Sequence, residues 1–244
     1  MNPKSITWEQ KGDKILKKLV SIVLSILIAV FILSLSIACP VLIRPVYYLQ
    51  VKSLHLSEQT GYPEAVIIEA YDDIIDYCTG GGERAGKTFR TGKLGWSEEG
   101  KDHFDDVERL FHLDFVIAVI SGILLAAYLI SKLIAHHKKR AFLTPYRFLG
   151  RGPLFWGPAF LTGTFVIMMI AAIVDFEAFF TWFHHLLFPG KENWLLDTDT
   201  DEIILILPYD VLQTFGAIII GLILVFCVIC MIIDFRHYRR AELL

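Results

Sequence analysis

Residues 16–43 read LKKLVSIVLSILIAVFILSLSIACPVLI, and beyond the two lysines near its start the stretch holds no charged side chain. A helix needs about 20 apolar residues to cross the hydrocarbon core of a bilayer, so this stretch is long enough to span a membrane. It is also much longer than the apolar region of a secretory signal, which has about 7–15 residues. We therefore expect a first transmembrane helix that is not cleaved.

Three more runs share this character and lie at residues 115–135, 155–174 and 211–233. Lys132, near the end of the second transmembrane run, is the one charged residue among them. The chain of 244 residues is 55% hydrophobic, and its mean hydropathy of +0.53 is too high for an ordinary soluble domain of this length. The sequence thus predicts a mainly α membrane protein with four transmembrane helices.

The distribution of charge predicts which segments face the cytoplasm. Residues 44–114 hold eight Lys and Arg against fourteen Asp and Glu, and residues 175–210 hold one against eight. Basic residues cluster instead before the first run, between the second and third runs, and after the fourth, so the positive-inside rule places those three segments in the cytoplasm. The predicted organisation is a cytoplasmic arm (1–15), a first transmembrane helix (16–43), an extracytoplasmic cap (44–114), a second transmembrane helix (115–135), a cytoplasmic basic loop (136–154), a third transmembrane helix (155–174), an extracytoplasmic interfacial helix and loop (175–210), a fourth transmembrane helix (211–233) and a cytoplasmic tail (234–244).

The longer extracytoplasmic segment has a pattern of its own. Residues 63–78 (PEAVIIEAYDDIIDYC) place apolar side chains at helical spacing with acidic ones on the other side. Residues 86–96 (GKTFRTGKLGW) are rich in glycine and β-branched residues, which predicts a hairpin or an irregular extended stretch. Ser97 is a typical helix N-cap and opens a second helix at SEEGKDHFDDVERLF. We therefore expect a small extracytoplasmic α+β cap.

Residues 81–88 (GGERAGKT) match the nucleotide-binding pattern G-x-x-x-x-G-K-[ST]. A working P-loop follows a strand and opens a helix whose N-terminus holds the phosphates. Here a helix comes first and an extended stretch follows, on the side facing away from cytoplasmic nucleotides. We therefore predict a glycine-rich turn and no nucleotide binding. The net charge of −3 likewise gives no reason to expect a nucleic-acid partner.

The extracytoplasmic histidines are the candidate catalytic groups. His103 has Asp106 three residues later on the same helical face, and His184 and His185 lie in the amphipathic stretch FFTWFHHLLF. A zinc site built from His103, His184 and an aspartate is conceivable, but no H-x-x-x-H spacing supports it, so we expect no metal and no other cofactor. The simpler interpretation is that these side chains only bond a carbonyl or a lipid headgroup.

Two stretches resemble the histidine motifs of a known family of bacterial integral membrane proteins, the one that includes lipoprotein intramolecular transacylase. One is SEEGKDHFDDVERLF (97–111), and the other is FTWFHHLLF followed by WLLDTDTDEIILILP (180–208). The resemblance selects His184, because His185 falls on a variable position of the motif. Thr198, Tyr209 and Glu108 depart from the family pattern.

The resemblance implies an acyl migration at the bacterial cytoplasmic membrane. The substrate would be a diacylated lipoprotein presented at a lipid surface. The sn-2 acyl chain of its S-diacylglyceryl cysteine would move to the α-amino group of that cysteine, which forms the lyso-form lipoprotein. His103 and His184 would be the catalytic acid and base, in an order that the sequence leaves open.

The chemistry of these residue types fits such a reaction. An α-amine with an ordinary pKa of about 8 needs a base, and a histidine suits that role. Asp106 would support His103 and Asp197 would support His184, while Arg109, Tyr47 or backbone N–H groups are candidates to stabilise the oxyanion. Two alternatives stay open from the residues: a metal-dependent membrane hydrolase, and a non-enzymatic membrane scaffold or sensor.

Overall fold

The computed structural model describes residues 8–242 and the side chains of residues 11–236. The start of the predicted cytoplasmic arm (1–7) and the end of the predicted tail (243–244) lie outside the described residues. The described chain forms α-helices joined by turns, with short 3₁₀ segments at Gly82–Ala85 and Glu202–Ile206. The α-helices are α1 (Trp8–Leu42), α2 (Pro45–Ser53), α3 (Leu56–Thr60), α4 (Glu64–Thr79), α5 (Glu98–His137), α6 (Pro153–Val174), α7 (Phe176–Leu187) and α8 (Tyr209–Glu242).

Among the described residues, four helices are long and apolar enough to cross a bilayer. These are the segments Lys11–Leu42, Glu98–His137, Pro153–Val174 and Tyr209–Arg236. Many of their apolar side chains are exposed, among them Ile123 at 62%, Phe160 at 77% and Ile173 at 76%. Lipid tails solvate such side chains, whereas a soluble protein rarely exposes so many together. The predicted mainly α membrane fold with four transmembrane helices is confirmed.

The chain divides into two compact units. The cap unit comprises Ser36–Val116 and Ile167–Gly221, and the helical unit comprises Met1–Leu35, Ile117–Val166 and Leu222–Leu244. The cap unit holds both segments predicted to be extracytoplasmic. The helical unit holds the whole of the basic loop (136–154) predicted to be cytoplasmic.

The core of the cap unit is built on α4, the amphipathic helix that the sequence predicts. Its apolar face is buried against α2, where the ring of Tyr71 stacks on that of Tyr47 with centroids 3.8 Å apart. The Tyr47 hydroxyl donates a hydrogen bond to the carbonyl of Ile206 at 2.7 Å, which ties the 3₁₀ segment to the same core. This core holds together the two segments that the sequence predicts to be extracytoplasmic.

The predicted β content of the cap is wrong, because the structure assigns no strand to residues 86–96 or to any other part of the described cap unit. The stretch is held by individual contacts instead of by a paired strand. Phe89 is buried against Phe104 with ring centroids 5.6 Å apart, and the backbone N–H of Gly92 donates to the carboxylate of Asp73 at 3.0 Å. These tertiary contacts outweigh the local β preference of threonine and phenylalanine.

The GGERAGKT stretch forms a turn at the end of α4, as its context predicts. Lys87 Nζ donates to the carbonyl of Asp76 at 2.6 Å and so caps the last turn of that helix, while Arg84 forms an ion pair with the buried Glu108. Gly82 has a φ of +52°, and a Cβ there would lie 3.2 Å from Glu108 Cγ. The glycines and charges of the pattern therefore have local structural roles.

The start of α5 is fixed by its cap. Ser97 Oγ accepts a hydrogen bond from the backbone N–H of Gly100 at 2.9 Å, which confirms the predicted N-cap. The Ser97 backbone N–H and hydroxyl both donate to the buried carboxylate of Asp201, at 2.8 Å and 2.9 Å. This junction holds the first turns of α5, and so His103, against the segment that follows α7.

The helical unit orders its basic loop around one buried carboxylate. Asp234 of α8 accepts from Arg147 Nη2 at 3.1 Å and from the backbone N–H of Gly152 at 3.2 Å. Arg151 places its guanidinium 3.4 Å from the ring centroid of Phe235. Loop residues 147–152 are thus held by specific contacts with α8.

Candidate active site

His103 lies in the second turn of α5 and is only 8% exposed. Its ring packs edge-on against Phe188 with centroids 5.1 Å apart, and the structure gives its buried Nδ1 no hydrogen-bond partner among the described residues. Burial, with a smaller contribution from the nearby His184, lowers the pKa of His103 to about 4. The ring is therefore neutral at neutral pH and has an unoccupied nitrogen.

His184 lies on α7, whose first turn is capped by Asp175 accepting from the backbone N–H of Ala178 at 3.0 Å. Its Nδ1 lies 2.8 Å from the carbonyl oxygen of Phe180, and because that oxygen can only accept, Nδ1 carries the proton. Burial lowers the pKa of His184 too, so the ring is neutral at neutral pH and Nε2 holds a lone pair. The ring of Trp194 packs beside it with centroids 4.9 Å apart.

The two histidine rings face each other with centroids 6.0 Å apart and planes inclined at 38°. They belong to segments separated by about 80 residues of sequence, and the fold of the cap unit brings them together. The 6.0 Å separation of the rings brings two groups that can transfer protons to one place in the cap unit. His185 is exposed and meets Trp194 edge-on, at a centroid distance of 5.4 Å.

Asp106 is buried beside this pair at the centre of a charged cluster. Both of its oxygens accept from Lys191 Nζ at 2.6 Å, and Asn193 and Arg109 each donate at 3.2 Å. Burial alone would raise the pKa of Asp106, but the bonds from Lys191 and Asn193 outweigh it and lower the pKa. The hydrogen bonds recorded for this carboxylate go to those three side chains, so Asp106 acts on His103 through its charge.

An open cleft of about 420 Å³ adjoins this cluster. It is lined by residues 191–193 and by the face of α5 that carries Asp102, Asp105, Asp106 and Arg109. Arg109, a candidate oxyanion donor from the sequence, has a side chain that is 63% exposed in this cleft. The cleft gives the charged cluster access to solvent.

Tyr47 and Asp197, the other two supporting residues predicted from the sequence, each make a contact that stabilises the fold of the cap unit. The hydroxyl of Tyr47 is buried and donates to the Ile206 carbonyl, and burial raises its pKa well above the ordinary value. Asp197 is exposed and accepts from the backbone N–H of Asp199 at 3.0 Å, which shapes the turn that leads to Asp201. The contacts recorded for Asp197 are within this turn.

The sequence did not reveal Lys191, Asn193 or Trp194 as part of this site. One signal was available in the charge pattern. Residues 175–210 hold eight acidic residues and a single Lys or Arg, which is Lys191. Its partner Asp106 lies 85 residues earlier in the chain, and local spacing cannot identify such a pair. Within the described residues, no group of three or more His, Cys, Asp or Glu is arranged to hold a metal ion.

The fold and the cap unit define an integral membrane protein in which a buried and a half-buried histidine lie close together in the cap unit. The sequence model of the family described as "Lipoprotein intramolecular transacylase Lit" matches residues 22–210, which is most of the chain. The chain therefore belongs to the lipoprotein intramolecular transacylase family and is an acyltransferase.

Solved structures share the fold. The membrane-integral lipoprotein intramolecular transacylase Lit from Bacillus cereus is 24% identical, with a TM-score of 0.76 over 93% of this chain and 97% of that chain. A variant of the same protein with a histidine replaced by arginine is 22% identical, with a TM-score of 0.69 over 96% of each chain. A variant with a histidine replaced by alanine is 23% identical, with a TM-score of 0.67 over 95% of this chain and 96% of that chain. The comparison with curated proteins finds no match.

Proposed function

We propose that this acyltransferase moves the sn-2 acyl chain of an S-diacylglyceryl cysteine, at the N-terminus of a lipoprotein, to the α-amino group of that cysteine. His103 and His184 would be its catalytic acid and base. The observation that carries the proposal is the pair of neutral rings facing each other at 6.0 Å in a largely buried setting. Such a pair can accept one proton and return it without a change of overall charge.

The proposed reaction balances within one substrate molecule. The neutral α-amine attacks the sn-2 ester carbonyl, so an N–C bond forms and a tetrahedral oxyanion appears. A histidine takes a proton from the attacking nitrogen and becomes an imidazolium. The C–O bond to glycerol then breaks, and the leaving glycerol oxygen receives that same proton from the histidine pair, which returns to its neutral form. The product carries an amide on nitrogen and a free hydroxyl on the glycerol, with no gain or loss of atoms.

The protein needs no nucleophile of its own for this transfer. Amine and ester belong to one molecule, and well-oriented intramolecular groups reach effective concentrations of about 10⁵–10⁸ M. Cys78, the one cysteine of the longer predicted extracytoplasmic segment, is 2% exposed, and burial raises the pKa of its thiol. A buried thiol that resists ionisation is a poor nucleophile.

The depressed pKa of His103 favours it as the base. A pKa of about 4 keeps the ring able to accept a proton across the whole neutral range. The attacking nitrogen becomes far more acidic once it has bonded to the carbonyl carbon, so a weak base suffices at that moment. His184 is oriented by its bond to the Phe180 carbonyl, and the lone pair on its Nε2 can take over the proton that His103 has accepted. His184 would then donate this proton to the leaving glycerol oxygen as the acid.

The surroundings suit a lipid-anchored substrate. α7 exposes Trp182 at 52% and Leu186 at 59%, as expected for an amphipathic helix that lies at the interface of a bilayer. The charge distribution supports a multi-pass protein of the bacterial cytoplasmic membrane with both termini in the cytoplasm and the site on the extracytoplasmic face. A diacylated lipoprotein and membrane lipid would be the partners, without nucleotide or nucleic acid.

The test uses the purified full chain in detergent or liposomes with a synthetic S-diacylglyceryl lipopeptide. Substrate and product have the same mass, so tandem mass spectrometry must locate the acyl chain on the nitrogen. We expect His103→Ala and His184→Ala each to lose activity by about 10²- to 10⁴-fold. The matched control is His185→Ala, an exposed neighbour, which should retain activity.

Two results would count against the proposal. The catalytic assignment fails if either His103→Ala or His184→Ala forms lyso-product at the wild-type rate. The reaction itself fails if the wild-type protein releases free fatty acid instead of forming the amide, which is the outcome expected of a hydrolase.

A further inference from the structure

Lys191 lies four residues after the end of α7, at the start of residues 191–194 (KENW), which we call the KENW turn because Leu195 N–H donates to the carbonyl of Glu192. It contacts one neighbour of each catalytic histidine. Its Nζ lies 2.6 Å from each oxygen of Asp106, which stands three residues after His103 on α5. Its backbone carbonyl accepts a hydrogen bond from Trp194 Nε1 at 3.0 Å. Trp194 in turn packs beside His184. One residue thus joins the surroundings of His103 to those of His184.

Lys191 is the dominant cation on Asp106. Arg109 also donates to this carboxylate, but it reaches a single oxygen at 3.2 Å from a side chain that is 63% exposed. Asn193 contributes a neutral donor at 3.2 Å. The two short contacts from one ammonium make the Lys191–Asp106 pair the stronger electrostatic link, since charge-assisted hydrogen bonds shorten as they strengthen.

The charges that act on His103 come from each element packed around it. Asp106, on its own helix, favours a protonated ring. His184 on α7 and Lys191 in the KENW turn both disfavour it. Removing Lys191 would therefore act twice in one direction, because it deletes one opposing charge and leaves the Asp106 carboxylate less neutralised.

We propose that Lys191 is a positioning residue for the transacylase reaction, which holds Asp106 and the KENW turn in one arrangement and limits the pull of the Asp106 charge on the neutral, proton-accepting ring of His103. The inference rests on the proposed function of His103. It gives Lys191, the single Lys or Arg of residues 175–210, a role in setting the pH range of catalysis.

The experiment compares Lys191→Met, Lys191→Arg and, as matched control, Lys93→Met, an exposed lysine of the same unit. The measurement is kcat/KM as a function of pH in the lipopeptide assay, divided at each pH by the fraction of substrate whose α-amine is neutral, so that the remaining acid limb belongs to the enzyme. We expect Lys191→Met to move the acid limb to higher pH by roughly one unit. Its activity loss should be greatest at acidic pH and should shrink as pH rises. Lys191→Arg and Lys93→Met should keep the wild-type limb.

A double variant separates charge from packing. In Asp106→Asn with Lys191→Met both charges are gone, so the acid limb should return toward its wild-type position even if the maximum rate is reduced. The inference is overturned if the limb of Lys191→Met superposes on that of the wild type, or if Lys191→Arg and Lys191→Met lose activity equally at every pH. Thermal unfolding of each variant identifies any that fail to fold, and Lys191→Gln then replaces Lys191→Met.

A second readout does not depend on turnover. The His103 ring can be titrated by NMR in the substrate-free protein, and its midpoint should rise in Lys191→Met and stay in place in Lys191→Arg. An unchanged midpoint would overturn the inference whether or not the lipopeptide is converted. The wild type could instead fail to convert the lipopeptide while the His103 midpoint still rises in Lys191→Met. That result would count against the proposed function and would leave the role of Lys191 standing.

Discussion

His103 and His184 differ in how the protein holds them. The Nδ1 proton of His184 is directed to a carbonyl within its own helix, whereas His103 is surrounded by aromatic rings and has a buried nitrogen without a recorded partner. An unsatisfied buried nitrogen costs about 1–3 kcal/mol, and folded proteins rarely retain that cost without use for the group. The substrate amine is the partner that the proposed reaction would supply to His103.

The depressed pKa of His103 leads to a prediction about the wild-type enzyme. As pH falls, the base form is lost only when the ring takes up a proton, at a pKa of about 4. The substrate α-amine, with an ordinary pKa of about 8, also titrates in this range, so each rate is divided by the fraction of substrate that carries a neutral amine. We expect the kcat/KM corrected in this way to stay level down to about pH 5 and then to decline, whereas an ordinary histidine with a pKa of about 6.5 would lose activity from neutrality downward. The lipopeptide assay in buffers of constant ionic strength measures this profile. An acid limb centred near pH 6.5 would show that another group is the base.

Tyr47 allows a structural role to be separated from a catalytic one. Tyr47→Phe removes the hydroxyl that satisfies the buried carbonyl of Ile206, so we expect a loss of about 1–3 kcal/mol in the free energy of unfolding. The activity per folded molecule should stay within about twofold of wild type, because the hydroxyl already has a partner in the core, whereas removing an oxyanion donor costs about 10²- to 10³-fold. Denaturant unfolding and the lipopeptide assay test the two halves separately. A rate loss of the larger size, with stability unchanged, would restore Tyr47 as an oxyanion donor.

At the scale of the element, α5 connects the fold to the chemistry. Its first turns carry His103 and Asp106, and its apolar length continues as one of the membrane-spanning helices. The start of that helix is set by Ser97, which serves as N-cap and as a double donor to Asp201. A displacement of this cap would move His103 relative to His184.

Ser97→Ala tests that connection. The substitution removes the cap acceptor and one donor to a buried carboxylate, so we expect about 1–2 kcal/mol of destabilisation. Because small misplacements of catalytic groups cost up to about 10²-fold in rate, activity should fall by more than stability explains. Glu99→Ala, an exposed change in the same first turn, is the matched control. Equal rates for Ser97→Ala and the control would show that the cap does not position His103.

The helices were predictable from the sequence because each carries a local signal, which is either apolar residues at helical spacing or an apolar run long enough to span a bilayer. This holds for α4 and for the four long helices, as well as for the Ser97 cap. The stretch 86–96 was not predictable in the same way, since its conformation depends on Phe89 meeting Phe104 and on Gly92 meeting Asp73. The Lys191–Asp106 pair is a similar case. Contacts between distant segments leave no local period, so only the resemblance to a family could bring His103 and His184 together in advance.

At the scale of the whole molecule, the remaining prediction concerns sidedness. The exposed Lys93 belongs to the acid-rich segment 44–114, and the exposed Lys138 belongs to the basic loop. Replacing each by cysteine provides a thiol that a membrane-impermeant maleimide can reach only from one side. The native thiols Cys78 and Cys227 are buried, and Cys39 and Cys230 lie within apolar helices, so background labelling should be low.

The positive-inside rule predicts that Lys93→Cys is labelled in intact cells and that Lys138→Cys is labelled only after permeabilisation. The outcome matters for mechanism as well as topology, because mature lipoproteins carry their lipidated cysteine on the extracytoplasmic surface and a site there meets the substrate directly. Lys132→Cys, within the apolar length of α5, is the control for a bilayer-protected position. The opposite labelling pattern would place His103 and His184 on the cytoplasmic side, and the proposed reaction would then lack access to its substrate.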